Sequence, residues 1–447
     1  MSLIKKHLNR LELNPPRVLA LGFGVLILFG ALLLNLPIAT KTGESIGFIN
    51  SLFTSASAVC VTGLVVVNTA EYWSLFGQIV IIILIQMGGL GFMTMATIVA
   101  LLVGKKITLK ERLIIKEQLN QETMSGLVKL TKYVIFSTFL IEVTGAILLS
   151  TRFIPKYGLV KGIWFSIFHA ISAFCNAGFD IIGNSIVPFV GDFVVNMTIC
   201  FLIIIGGLGF SVYIDISRNK RFKRLHLHSK LVISITIILI IVGMLIFLMI
   251  ERNNPDTLLK LTWNEKLLAS FFQSVIPRTA GFNSVDISNM YDTTAFIMII
   301  LMYIGGSPGS TAGGIKTTTF GTILLTTITV IKGNKDVVVF KRRLNQDIIN
   351  RSLAIASIGL ILIVSVSILL TLTEKATFLD LLFETTSAFG TVGLTRGVTP
   401  NLSNIGKAII TLTMYAGRVG PLTMAFAFAQ RQKQALYRHS EGNIMVG

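Results

Sequence analysis

Apolar residues along this chain gather into long unbroken runs, and the polar residues fall between them in short stretches. The runs over 18–36, 74–103, 231–250 and 352–372 each exceed the roughly 18 residues that a helix needs to cross a bilayer. With their flanks, eight segments follow one another in pairs: 18–36 and 74–103, 127–149 and 188–216, 231–250 and 293–331, 348–372 and 405–430. Inside each pair lies a Phe-containing stretch, at 48–59, 163–174, 265–276 and 378–389, long enough for about three helical turns but too short to cross. A loop of small residues follows each. The pattern predicts an all-α membrane protein with eight transmembrane helices and four re-entrant half-spans.

The four pairs repeat in sequence as well as in hydropathy. The loops read SAVCVTGL at 57–64, SAFCNAGF at 172–179, VIPRTAGF at 275–282 and SAFGTVGL at 387–394, with Gly63, Gly178, Gly281 and Gly393 separated by 115, 103 and 112 residues. Second motifs, GGLGF at 88–92, GGLGF at 206–210, GGSPG at 305–309 and GRVGP at 417–421, begin 25, 28, 24 and 24 residues after those glycines. Two motifs in phase over four units define the organisation. A cytoplasmic N-terminus covers 1–17, and the repeats cover 18–103, 127–216, 231–331 and 348–430. Cytoplasmic linkers cover 104–126, 217–230 and 332–347, and a tail covers 431–447.

Composition narrows the class further. The 447 residues are 53% hydrophobic and 13% charged, against about 25% charged in a soluble chain, so a single soluble core is excluded. The polar stretches 104–127 and 430–447 fall short of the roughly 50 residues of an independent domain. No room is left for a soluble catalytic or nucleotide-binding domain. The first run stands behind Lys5, Lys6, Arg10 and Arg17 and lacks a signal-peptide cleavage site, so it is expected to remain as a span. Cys60, Cys175 and Cys200 have neither disulfide nor zinc spacing. Cys60 and Cys175 read as small packing residues.

Charge gives the orientation. With both termini and all three linkers cytoplasmic, that side carries 26 of the 39 Lys and Arg with 8 Asp and Glu, and the other face carries 11 with 12. Such an excess of Lys and Arg marks cytoplasmic loops. The net charge of +18 therefore belongs to the linkers and does not point to nucleic acid. Glu142, Lys316 and Arg418 are left as the interior charges.

Backbone that dips into a membrane and returns extended survives only if buried in protein or facing water. Four such loops around a pseudo-fourfold pore achieve this together, their carbonyls replacing the water shell of a dehydrated cation. Glycine lets the carbonyls turn inward through positive φ, and half-helices aiming their C-terminal ends at the centre favour a cation. The stretches in question are Val59, Cys60, Val61, Thr62 and Gly63; Phe174, Cys175, Asn176, Ala177 and Gly178; Ile276, Pro277, Arg278, Thr279, Ala280 and Gly281; and Phe389, Gly390, Thr391, Val392 and Gly393. Asp180, Asn283 and Asp286 would gather cations at the outer mouth.

The third post-loop span departs from its siblings. Gly305, Gly306, Ser307, Pro308, Gly309, Ser310, Thr311, Ala312, Gly313 and Gly314 place five glycines and a proline in what should be helix, at about 1 kcal/mol per Gly and 3 for Pro. A break with an intramembrane loop just below the four stretches is expected, with Lys316 at its end and Arg418 reaching the axis from the fourth unit. The first two GGLGF motifs read instead as helix-packing positions. The segment 309–317 is not a phosphate loop, because the Gly-to-Lys spacing is one residue too long and no strand precedes it.

Taken together, the loops and post-loop motifs resemble the Trk/Ktr/HKT superfamily of potassium transporters, and most the bacterial KtrB-type membrane subunit, over nearly the whole chain. TVGL at 391–394 is similar to a degenerate potassium-channel filter. The resemblance implies that the four stretches are a K⁺ selectivity filter, since glycine at the key position goes with K⁺ and serine in the first loop with Na⁺. It implies that 305–314 with Lys316 and Arg418 form a gate. It implies channel-like K⁺ uptake across the cell membrane by a homodimer resting on a KtrA-like cytosolic ring of nucleotide-binding regulatory subunits. ATP, ADP or NAD would sit on that ring, with no cofactor in this chain. Linkers and the 437–441 segment would offer docking surfaces.

A Na⁺-permeable or Na⁺-coupled member of the superfamily is the alternative. An intramembrane enzyme would need paired catalytic groups, and the interior charges lie in different repeats. His169 reads as a structural hydrogen-bonding residue, and His226 and His228 as part of a solvated basic linker.

Overall fold

The computed structural model describes residues 15–91, 113, 114, 116, 127–421, 423, 424 and 445. Lys5, Lys6, Arg10, Phe92 with the run to 103, most of the 104–126 linker and the 437–441 segment lie outside the described residues.

The described chain is helical apart from a hairpin of β1 (Val338–Val339) and β2 (Arg342–Arg343). One order of elements recurs: a long helix, a short helix, an extended loop, then a second helix. In the first unit these are α1 (Pro15–Leu34), α2 (Phe48–Val59) and α3 (Leu75–Leu90). In the second they are α4 (Leu127–Tyr157), α5 (Leu159–Phe174), α6 (Phe193–Leu208) and a continuation α7 (Phe210–Arg218). The third unit has α8 (Leu227–Glu251), α9 (Trp263–Val275), α10 (Asp292–Tyr303) and α11 (Thr317–Ile331), and the fourth α12 (Gln346–Thr373), α13 (Phe378–Gly390) and α14 (Asn404–Val419).

Local sequence starts these helices. Ser74, Asp192 and Ser403 each accept, through the side chain, a backbone N–H of the first turn of α3, α6 and α14, satisfying a donor that the helix cannot. At α9 the Thr262 and Glu265 side chains form a capping box, which answers two such donors reciprocally.

Packing then arranges the units in a circle. Each long helix lies on the short helix that follows it. The second helix of each unit lies on the short helix of the next: α3 on α5, α6 on α9, α10 on α13 and α14 back on α2. The short helices therefore occupy the centre, where Phe53, Phe174, Phe272, Phe383 and Phe389 are fully buried. Their amphipathic surroundings end at the long helices, whose outward faces expose Val25, Leu32, Phe136, Ile147, Leu245 and Leu372. An apolar surface of that extent suits a lipid environment.

Eight uninterrupted spans are not what forms. Among the described residues four helices are long and apolar enough to cross a membrane, namely Pro16–Leu34, Thr131–Tyr157, Leu227–Glu251 and Gln346–Thr373, and α6 with α7 is a bent pair at 94°. The second helix of every unit stops at or just before its glycine motif. Gly91, Gly209 and Gly420 end α3, α6 and α14 with φ of +82°, +94° and +94°, a region that β-carbon-bearing residues rarely enter. The expectation of a break in the third unit alone is thus corrected: α6 bends into α7 at its motif as well, and α3 and α14 end on theirs. The close-packing part of the reading of the first two motifs stands beside this, because a β-carbon on Gly88 or Gly206 would fall 1.9 or 2.0 Å from the carbonyl oxygens of Val59 and Phe174.

Candidate functional site

After each short helix the backbone changes hand twice. Val61, Asn176, Thr279 and Thr391 have φ of +57°, +60°, +70° and +51°, and the glycines two residues on, Gly63, Gly178, Gly281 and Gly393, have φ of +92°, +68°, +72° and +89°. Left-handed backbone costs a residue with a β-carbon about 1–2 kcal/mol, and such strain persists only where surroundings enforce it. Here they do. Thr62 and Val392 N–H donate to the carbonyls of Ser57 and Ser387 at 2.8 Å, and Ala177 N–H to that of Ser172 at 2.7 Å. Gly63 and Gly393 N–H donate to the hydroxyls of Ser57 and Ser387 at 3.0 and 3.1 Å. Donors are thereby turned back into the short helices, leaving carbonyls to face the other way.

The four glycines meet. A β-carbon on Gly63 would lie 3.2 Å from Gly178 Cα, one on Gly178 2.6 Å from Gly281 Cα, one on Gly281 3.5 Å from Gly393 Cα, and one on Gly393 2.9 Å from Gly63 Cα. Each glycine touches the next in chain order and the last touches the first, a closed ring. Around it the carbonyl oxygens of Thr62, Ala177, Ala280 and Val392 stand within 2.1 to 2.8 Å of those same β-carbon positions.

A cavity opens on either side of this ring. One, of about 390 Å³, is lined by all four glycines together with Asp180, Asn283 and Asp286. Asp180 is already engaged, because burial would raise its carboxyl but bonds from His169, Ile182 N–H and Ser185 N–H hold it below its usual value. The other, of about 220 Å³, is lined by Gly89, Gly91, Phe210, Pro308, Gly314 and Arg418 among others. All four broken motifs contribute to its wall.

Residues 304–316 lie between α10 and α11 against the underside of the ring. A β-carbon on Gly313 would fall 2.3 Å from Thr391 Oγ1, and Thr311 Oγ1 donates to the Phe174 carbonyl at 3.2 Å. The bend in the second unit explains how the loop is held. Where α6 stops, its last carbonyls lose their helical donors, and those of Gly206 and Gly207 accept from Thr311 N–H at 3.2 Å and Ser307 N–H at 2.9 Å. In return Phe210 N–H donates to the Gly309 carbonyl at 2.9 Å. Arg418 completes the attachment. Its guanidinium donates to Thr311 O and to the carbonyls of Gly88 and Gly89 at the end of α3, the last at 3.1 Å. Lys316 folds back on its own loop, donating to Ala312 O at 2.7 Å.

Other charges sit where hydropathy did not put them. Arg278, Glu251 and Glu384, counted with the outer face from sequence, are all buried. The Arg278 side chain turns away from the ring, and donates to Thr236 O and Thr236 Oγ1, both at 3.1 Å. Glu251 accepts from Asn254, Thr257, Thr294 and Tyr291 N–H, joining the end of α8 to the start of α10. Glu142 finds Gln86 Nε2 at 3.2 Å, and Gln86 Oε1 accepts from Cys175 Sγ at 3.4 Å. Sequence reasoning passed over the serines, although Ser-Ala opens three of the four loop motifs.

The model of the family described as Cation transport protein, TrkH, matches residues 29–439. The chain belongs to that cation transport family. Among its relatives, the Ktr system potassium uptake protein B of Bacillus subtilis is 46% identical over 99% of both chains. The potassium/sodium uptake protein NtpJ of Enterococcus hirae is also 46% identical, over the whole of both. The fold is that of the potassium transporter TrkH from Vibrio parahaemolyticus, with a TM-score of 0.71 at 17% identity, covering 92% of this chain and 83% of that one. The family and these relatives are membrane transporters, in keeping with the four long apolar helices.

Proposed function

We propose that this chain is the membrane subunit of a potassium uptake system and conducts K⁺ through the closed ring of loops. The observation that carries the reading is that ring: four left-handed turns, each ending on a glycine in contact with the next, between two cavities. Its carbonyls, with the N–H groups bonded behind them, suit a dehydrated monovalent cation. In this reading the units are four membrane-pore-membrane repeats about a pseudo-fourfold axis, with eight membrane crossings and four re-entrant short helices. Both termini face the cytoplasm. Residues 305–314 obstruct the path below the ring, and Arg418 keeps them there. At about 2.3 kcal/mol per charge per 100 mV, membrane potential alone drives accumulation.

In this reading the chain acts as a homodimer on a cytosolic nucleotide-binding ring; the name Ktr system of the Bacillus relative supports a partnered system. A sodium-permeable form is the second reading, favoured by the name potassium/sodium uptake protein of the Enterococcus relative. The deciding experiment is ⁸⁶Rb⁺ uptake into proteoliposomes holding the full chain, competed with K⁺ and with Na⁺. Uptake suppressed by K⁺ at far lower concentration than by Na⁺ is expected; equal competition favours the second reading, and no uptake overturns both.

A further inference from the structure

The loops are supported unequally, and the inequality follows the diagonal of the ring. Nine residues before each ring glycine stand Thr54, His169, Phe272 and Glu384, and two residues after it stand Val65, Asp180, Asn283 and Thr395. In the second unit the fully buried His169 ring spans this interval, with Nε2 3.3 Å from Asp180 Oδ1 and Nδ1 2.7 Å from the Phe165 carbonyl. In the fourth unit the fully buried Glu384 spans it, accepting from Thr395 Oγ1 at 2.8 Å and also from the Thr399 hydroxyl. The first and third units have no such link: Thr54 bonds its own helix at Asn50 O, and Phe272 is apolar. Gly178 and Gly393 face each other across the ring, each touching only Gly63 and Gly281 among the four.

The second link reaches further. Asp180 accepts from the N–H groups of Ile182, Gly183 and Ser185, which shapes the turn 180–185. Both neighbouring units lean on that turn, Asn68 Nδ2 donating to Gly183 O at 3.0 Å and Asn283 N–H to Ser185 Oγ at 2.9 Å. Asp180 and Thr395 both line the outer cavity.

We propose that His169 and Glu384 are positioning residues for the ion site: two struts on one diagonal that fix the spacing of the Gly178 and Gly393 loops and thereby the discrimination between K⁺ and Na⁺. The proposal rests on the transport reading above. A stiff diagonal holds its carbonyls at one separation, and a smaller ion that needs a tighter cage cannot draw them in.

The test measures the concentration dependence of K⁺ and Na⁺ influx in proteoliposomes of the full chain, for wild type, His169→Phe, Glu384→Thr and Glu384→Gln. The first two install the residue types that the third and first units carry at the same place. Both are expected to narrow the K⁺ over Na⁺ ratio of Vmax/KM by about tenfold, the equivalent of ~1.4 kcal/mol, through Na⁺ gaining and not through general loss of flux. Glu384→Gln keeps a bond to Thr395 and is expected to restore most of the ratio. Thr54→Val, at the same position of an unlinked unit, is the control and keeps wild-type values. A ratio unchanged to within about twofold in monodisperse His169→Phe or Glu384→Thr overturns the inference, since discrimination is a difference of affinities. If one of the two does not fold, the other decides alone. Wild-type vesicles that show no K⁺ influx sink the transport reading itself, a separate result.

Discussion

Arg418 donates to the carbonyl of Thr311, so the last turn of α14 grips the midpoint of the loop between α10 and α11. The same guanidinium reaches the carbonyls of Gly88 and Gly89 in the last turn of α3. One side chain thus ties three units together beneath the ring, and planar, forked guanidinium suits that task better than a lysine.

Arg418→Ala removes every one of these bonds. Hydrogen bonds to charged groups contribute about 1.5–3 kcal/mol each, so a lower unfolding temperature is expected in detergent. With the loop released, K⁺ flux in the absence of any activating partner should rise. Flux and activation both equal to wild type would refute the role given to Arg418 in holding the loop.

Gly63→Ser forces a side chain into left-handed backbone and places its β-carbon 2.5 Å from the Ala177 carbonyl oxygen. The ring must widen at that corner. K⁺ uptake should fall and the preference over Na⁺ should drop by roughly tenfold or about 1.4 kcal/mol, read by ion competition against ⁸⁶Rb⁺ influx.

Ser387→Ala deletes the acceptor of the Gly393 N–H. An orphaned buried donor costs about 1–3 kcal/mol, and the loss falls on the fourth loop alone. The measurement is the thermal midpoint with and without saturating K⁺. The substitution should lower the midpoint and reduce the K⁺-induced rise; an unchanged rise would show that the Ser387 hydroxyl does not set the ion site.

At the exposed start of α9, the Thr262 backbone N–H and then its hydroxyl hold the Glu265 carboxyl below its ordinary 4.5. A depressed carboxylate contributes its stability above the unfolded value and loses it as pH falls through the folded one. Protection factors of the amides in the first turn of α9, corrected for the intrinsic exchange rate, should therefore fall as the medium is acidified below about 4.5, and Glu265→Gln should abolish that dependence.

Hydropathy and spacing were enough to place the loop glycines, because a residue required for positive φ in four copies leaves a fixed phase that needs no side-chain information. Helix interruption was harder to see. In GGLG the glycines at 88, 89, 206 and 207 read as packing contacts, and it is the fourth residue, Gly91 or Gly209, that stops the helix through its φ; composition does not distinguish the two uses. Burial of Glu251, Arg278 and Glu384 was illegible for a different reason. Glu251 and Arg278 lie at the ends of apolar stretches and Glu384 in a half-span too short to cross, so hydropathy assigns all three to the polar face, while partners such as Thr236 for Arg278 and Thr294 for Glu251 are about 40 residues away in sequence and are found only by folding. The struts at His169 and Glu384 needed the ring order, which no single repeat contains.

The ring closes between the fourth unit and the first, with Gly393 against Thr62 and Gly63. During synthesis, most of the 447 residues leave the ribosome before the last quarter of the wall exists. On the proposed reading of these loops as re-entrant, three of them stand until then around a gap, with carbonyls that lipid cannot satisfy. Insertion of this chain must therefore keep that gap wet or shielded by the translocation machinery. A chain that ends before residue 393 cannot close this ring, whatever the stability of its first three units.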